Sequence, residues 1–326
     1  MTSDSKQHPT PQFFRDGKQD IGAIEEALLC IIHFREEGIA KDDLKGISVK
    51  GDEFCEALIL LLEDIKLIEI DHEKKTLKPR ADKKEYWENW TSSEAIKGQQ
   101  PCKGLADFFI EWFNENPSVQ MRYAYDAIAE VVNTQVDEDL SSDKPVRPML
   151  PYYPNGNQAE IAKYINQEQQ YQKLNNERKE DKYKDTHFGS TLNPTQTNAF
   201  NYLMVYLGLA TPIKLSGRKP WCKLDPTHRI KRMLAEVFSE DTTLHIGTFM
   251  HKLGERCVLL ENSSKSYPAI ISLALSKLEK EDFIKLGRDT DHPAGSVEII
   301  NFNGINGIKK EDVQTIEWLK GDLRCN

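Results

Sequence analysis

"SLALSKLEKEDFIKLGRDTDHPAGSVEII", Ser272–Ile300, reads as an apolar-periodic helix running into Phe283–Leu286, then a polar turn around Pro293 and Gly295, then a second apolar run. The same order stands earlier, in "DEFCEALILLLEDIKLIEIDHEKKTLKP", Asp52–Pro79. Setting Leu62 against Leu278 brings Glu63 to Glu279, Leu67 to Phe283, Ile68 to Ile284 and Ile70 to Leu286. Helical spacing that gives way to alternation marks a helix feeding a hairpin. The fold therefore turns on whether one architecture occurs twice.

Outward from the first copy, Ile21, Ile24, Leu28, Ile31 and Ile32 recur at helical spacing and predict a helix over Asp20–Glu37. Gly38 ends it in a C-cap position. "IAKDDLKGIS" is a short second helix. Asp52 opens a third, with Phe54, Ala57, Leu58, Leu61 and Leu62 on its buried stripe. "LIEIDHEKKTLKPR" alternates, turns on charged residues and alternates again, a two-stranded hairpin. Three helices followed by a hairpin predict a winged helix-turn-helix unit.

The second copy follows the same plan. Asp225 caps a helix with Pro226 at its first position, burying Ile230, Met233, Leu234, Val237 and Phe238. "TTLHI" is a short strand, "GTFMHKLGERC" the second helix, Tyr267–Asp282 the third and Phe283–Ile300 the hairpin. "KKEDVQTIEWLKG" is expected as a closing helix that packs Val313, Ile316, Trp318 and Leu319 back onto the unit.

Between the copies, "GLADFFIEWFNENP" is strongly amphipathic, with Leu105, Phe108, Phe109, Trp112 and Phe113 on one side. "DKPVRPMLPYYPNGN" is proline-rich and extended, and the Gln/Asn/Lys/Glu-rich run after it is a polar linker. The expected class is mainly α with small β-wings, an α+β chain. Its expected organisation is a disordered tail over 1–17, a first winged helix over 18–90 and a helical region over 91–140. A linker over 141–190, a helical connector over 191–221, a second winged helix over 222–302 and a C-terminal helix over 303–326 follow.

Composition narrows the function. Apolar residues make up 39% of the 326 and charged residues 29%, polar but well short of a disordered composition. No apolar run approaches membrane-spanning length and the N-terminus lacks a secretory pattern, so a cytoplasmic protein with no membrane partner is expected. Six cysteines stand without any C-x-x-C pair, so the usual zinc spacing is absent. Cys30 and Cys55 fall on apolar helix faces as buried free thiols.

Searching for chemistry yields no catalytic set. Phosphate-loop, dinucleotide, nucleophile-elbow and HExxH motifs are all missing. His245 and His251 are not at ligand spacing. Asp289, Asp291 and Glu298 lie on a turn and its return strand, where turn chemistry accounts for the aspartates better than a metal-dependent nuclease does. No catalytic residue, metal site or cofactor is expected.

A net charge of −9 argues against coating DNA, since phosphate contacts need Lys or Arg. The third helix of the first unit presents Asp52, Glu53, Glu56, Glu63 and Asp64 against Lys66; such a helix suits protein docking better than a DNA groove. Two local excesses of positive charge are candidate phosphate contacts. One is the wing, Lys74, Lys75, Lys78 and Arg80. The other lies in "KLSGRKPWCKLDPTHRIKR", as Lys214, Arg218, Lys219, Lys223, Arg229, Lys231 and Arg232.

"LDPTHRIKRML", "TFMHKLGERCVLLENSS" and "ISLALSKLEKEDFIKLGRDTD" resemble the C-terminal half of the DpdG family, and "GLADFFIEWFNENP" is similar to its middle region. DpdG proteins belong to bacterial Dpd clusters, which place 7-deazaguanine derivatives in DNA and restrict unmodified DNA. The resemblance implies a non-enzymatic DNA-binding or adaptor component of such an anti-phage system. Its implied partners are DNA, weakly, and other defence proteins such as helicases or nucleases. Two alternatives share the tandem plan: a winged-helix transcriptional regulator, and a kleisin-like subunit of a chromosome- or plasmid-targeting ATPase complex.

Overall fold

The computed structural model describes residues 21–47, 52–84, 86–87, 104–115, 125, 203–213, 221–261, 269–288, 297–302 and 308–319. The chain divides into two compact units, one holding Met1–Trp112 with Thr195–Tyr206 and the last three residues, the other Phe113–Pro194 with Leu207–Leu323. Both are α+β, with small antiparallel sheets.

In the first unit, α1 (Ile21–His33) buries Ile24, Leu28, Ile31 and Ile32, the stripe read from the sequence. The helix gives way to a turn that ends at Gly38, whose N–H donates to the Phe34 carbonyl at 2.7 Å. Gly38 sits at φ +81, and a Cβ there would press on Lys78 and Thr76 at 3.1–3.2 Å, so the turn needs glycine. Next come β1 (Ile39–Ala40), α2 (Lys41–Ile47) and α3 (Asp52–Asp64). Strands β2 (Ile68–Asp71) and β3 (Thr76–Pro79) form the expected hairpin. Sheet order is β1-β3-β2, so β3 is central and Leu77 faces both Ile39 and Ile70. Strand β1 was not expected; two residues are too few for alternation to register. Separately, α4 (Leu105–Glu115) buries Leu105, Phe108, Phe109 and Phe113 as predicted, with Trp112 half-buried.

The second unit opens with β4 (Ala210–Ile213) paired to β5 (Trp221–Leu224), where a helical connector was expected. β-branched Thr211 and Ile213 and aromatic Trp221 favour strand, and Pro212 is tolerated because a two-stranded ribbon is all edge. Helices α5 (Thr227–Phe238), α6 (Ile246–Arg256) and α7 (Ala269–Lys280) match the three predicted ones, and β6 (Thr243–His245) is the predicted short strand.

The repeat proposed from the sequence extends to individual hydrogen bonds. At the end of α3, Leu67 N–H donates to Leu62 O at 2.9 Å and Lys66 N–H to Glu63 O at 2.9 Å, with Lys66 left-handed at φ 59. At the end of α7, Phe283 N–H donates to Leu278 O at 3.0 Å and Asp282 N–H to Glu279 O at 3.1 Å, with Asp282 at φ 58. Both are Schellman endings with a non-glycine residue in the strained position. Further on, Lys41 N–H donates to Lys75 O as Ile246 N–H does to Gln314 O, and Arg80 N–H to Leu67 O as Leu319 N–H does to Phe283 O.

Those last correspondences correct two expectations. Strand β7 (Ile284–Gly287) does not form a hairpin with the run ending at Ile300. It pairs with β10 (Thr315–Trp318), which also pairs with β6, in the order β6-β10-β7. Ile316 faces both Leu244 and Leu286, as Leu77 faces Ile39 and Ile70. The segment expected as a closing helix is instead two strands, β9 (Ile308–Val313) and β10. Helical spacing of Val313 and Ile316 competes with strand spacing of Ile316 and Trp318. The unpaired inner edges of β6 and β7 decide, because their buried backbone groups need partners. Packing of these side chains is still as expected for Val313 and Ile316, both fully buried, and Trp318 stacks on Phe238 at 5.9 Å. Leu319 stays 41% exposed. Where the first unit has a short turn at residues 72–75, the second carries an excursion over 288–314. Within it β8 (Val297–Phe302) pairs antiparallel with β9.

Cys55 and Cys257 are buried free thiols, and Cys30 is half-buried. Burial pushes the Cys257 thiol up to about 11 from 9.0. A raised folded-state value means stability is full below pH 9 and falls as pH rises toward 11. The urea midpoint of the protein is therefore expected to drop over that interval more steeply than that of Cys257→Ala, measured in parallel. Parallel slopes for the two would count against this assignment.

Candidate nucleic-acid interface

In the first unit the connection between β2 and β3, expected as a wing, is a tight turn. The Asp71 carboxylate accepts from Lys74 N–H at 3.0 Å and Glu73 N–H at 3.1 Å. These bonds, that of Lys74 foremost, hold its carboxyl below the ordinary carboxylate range. Lys75 closes the turn at φ 54. The lysines Lys74 and Lys75 project from this tip and are exposed. Two other predicted contacts are engaged within the protein. Lys78 Nζ donates to the Glu36 carbonyl at 2.8 Å, and Arg80 forks onto Asp82 at 2.9 and 3.1 Å.

Helix α3 turns Asp52, Glu53, Glu56 and Asp64 to solvent, with Glu63 half-exposed and Leu60 48% exposed among them. Lys45 reaches across from α2 to Glu56 at 2.7 Å, neutralising one acid. That hydrogen bond, then the lysine charge, lowers the Glu56 carboxyl. What remains is a negative surface, which phosphates repel at close range.

Among the described residues, the basic run of the second unit is divided between buried and half-buried positions. Lys214, Arg218 and Lys219 lie outside the described residues, and Lys223 is placed in β5. Arg229 corrects the sequence reading most sharply. It is 3% exposed, and its Nε donates to the Leu207 carbonyl at 2.7 Å. Helical spacing puts it beside Ile230 and Met233 on the inward side of α5, so it holds the fold rather than a phosphate. Lys231 lies 3.6 Å above the Phe283 ring with Glu281 at 3.9 Å. Arg232 is half-buried.

Helix α7 is the counterpart of α3, but Ala269 through Ser276 and Leu278 are all buried. Strand β8 packs against it. A helix covered in this way has no face to lay in a groove.

Two clusters that sequence reasoning missed stabilise this arrangement. Asp225, 8% exposed, accepts from Thr227 Oγ1 at 2.5 Å and Thr211 Oγ1 at 3.4 Å, and is ion-paired to Lys277 of α7. Its expected capping contact is weak, with Thr227 N–H at 3.4 Å. Arg288 bridges Glu279 of α7 at 2.5 Å and Glu311 of β9 at 2.7 Å. The hydrogen bond Arg288 donates to Glu279, then that to Glu311, raises the guanidinium above its ordinary value. No sequence signal pairs residues so far apart.

Among the described residues no group of three His, Cys, Asp or Glu side chains is placed to hold a metal ion. His245 caps α6 through Nδ1, which accepts from Gly247 N–H at 3.2 Å, and His251 sits 3.4 Å from Glu255. Glu298 lies on β8, opposite Asp312, while Asp289 and Asp291 lie outside the described residues. No described helix is long and apolar enough to cross a membrane.

Residues 158–292 match the model of the DpdG-like family. The span includes "LDPTHRIKRML", "TFMHKLGERCVLLENSS" and most of the Ser272–Ile300 stretch, and bears out the resemblance read there. It begins inside the polar run, so that run belongs to the matched region. No curated protein and no solved structure matches the chain.

Proposed function

We propose that this chain, DpdG-like over residues 158–292, is a non-enzymatic adaptor of a bacterial DNA modification and restriction system of the Dpd kind. It works by protein docking, with weak, sequence-independent DNA contact at one wing tip. Both units are read as winged-helix modules. Support comes from the shared order of helices, the three-stranded sheets with matched central strands, and the matched Schellman endings. One observation carries the choice of docking over DNA reading: the third helix is acidic outward in the first unit and covered in the second. The partners fitting this role are helicase or nuclease proteins of the same system.

The proposal is tested in two arms. Anisotropy with a random duplex over 50–200 mM salt is expected to give a log–log slope no steeper than about two, since each phosphate contact adds roughly 0.9. Lys74→Ala with Lys75→Ala should remove that slope, and plasmid DNA should survive incubation with Mg²⁺ or Mn²⁺. In cells carrying the system, the tagged chain should retain a helicase or nuclease component. The triple change Asp52→Lys, Glu53→Lys, Glu56→Lys should release it. A steeper slope, or retention indifferent to the triple change, would overturn the docking reading.

A further inference from the structure

The repeat allows the faces of α3 and α7 to be matched residue by residue. In α3 the solvent side carries Glu53, Glu56, Leu60 and Asp64. With Leu62 on Leu278, these positions fall on Ala269, Ser272, Ser276 and Lys280. Lys280 is exposed, but Ala269, Ser272 and Ser276 are 1%, 0% and 3% exposed. The side that one unit presents is thus buried in the other, and lined by small residues that allow another backbone to approach closely. The strand packed on α7 is β8, and Ile299 on it is fully buried.

We propose that the β8–β9 hairpin is a displaceable cover seated on the face of α7 that α3 leaves open, latched by Arg288 between Glu279 and Glu311. Two observations favour a cover over a permanent wall. Ser272 Oγ, on the buried face of α7, has no hydrogen-bond partner among the described residues, a cost relieved when the face opens to water. The inward side of the hairpin carries an acid: Glu311 lies beside Ile299, and its charge is met by Arg288. In the closed state α7 offers no docking face; displacing the hairpin turns the second unit into the open form of the first.

The inference rests on the docking reading only for what the covered face is used for, and its test needs no partner. Amide hydrogen exchange on the full chain is the measurement. In Arg288→Gln, which leaves Glu279 and Glu311 facing each other, amides of β8 and β9 should exchange about tenfold faster, with α5 and β6 unchanged. Glu311→Gln reads the same segment more gently should Arg288→Gln fail to fold. Exchange rising together across β8, β9, α5 and β6 would make the hairpin a wall of the core. No change in either variant would dismiss the latch. Failure to retain a partner, by contrast, leaves this result untouched.

Discussion

Leu77→Ala and Ile316→Ala are each expected to lower stability by roughly 3 kcal/mol, the scale for deleting a large aliphatic side chain from a tight core. Both side chains are fully buried, and both stand on the central strand of a three-stranded sheet. Each faces an aliphatic neighbour on either side, Ile39 and Ile70 for one, Leu244 and Leu286 for the other. Urea unfolding followed by tryptophan fluorescence provides the test. A loss of under about 1 kcal/mol for Ile316→Ala alone would mean that β10 is not the counterpart of β3.

Lys277→Glu should cost about as much, by a different route. It sets a carboxylate against Asp225, which is 8% exposed and already holds Thr227 and Thr211. Removing one partner of a buried pair costs about 3–5 kcal/mol because the other charge is left uncompensated. The Lys277 side chain is 41% exposed, so the lower end applies. Lys280→Glu on the exposed side of the same helix is the control, expected within about 0.5 kcal/mol of the unaltered chain. Equal losses for the two would show that the Asp225 pair adds nothing beyond surface charge.

Much of this protein was determined by the sequence alone, wherever a single segment's spacing could express it. The stripes of α1, α3, α5 and α7 and the hairpin β2–β3 follow from local periodicity. So does the repeat, since Leu62 and Leu278 each stand before the same change of period. The acidic face of α3 was legible too, because charges on an exposed helix stay where helical geometry puts them.

Tertiary structure decided the rest, for reasons of pairing at a distance. Ile308–Val313 and Thr315–Trp318 carry a spacing that fits helix and strand alike, and the open edges of β6 and β7 selected strand. The chain between β7 and β10 is long enough to fold a second hairpin, which no local signal assigns to its place against α7. Arg229 belongs to a basic run by sequence, yet the rotation of α5 turns it inward to the Leu207 carbonyl. A run of like charges is a one-dimensional property; a phosphate-binding surface requires those charges to share a side, and burial distributes them differently.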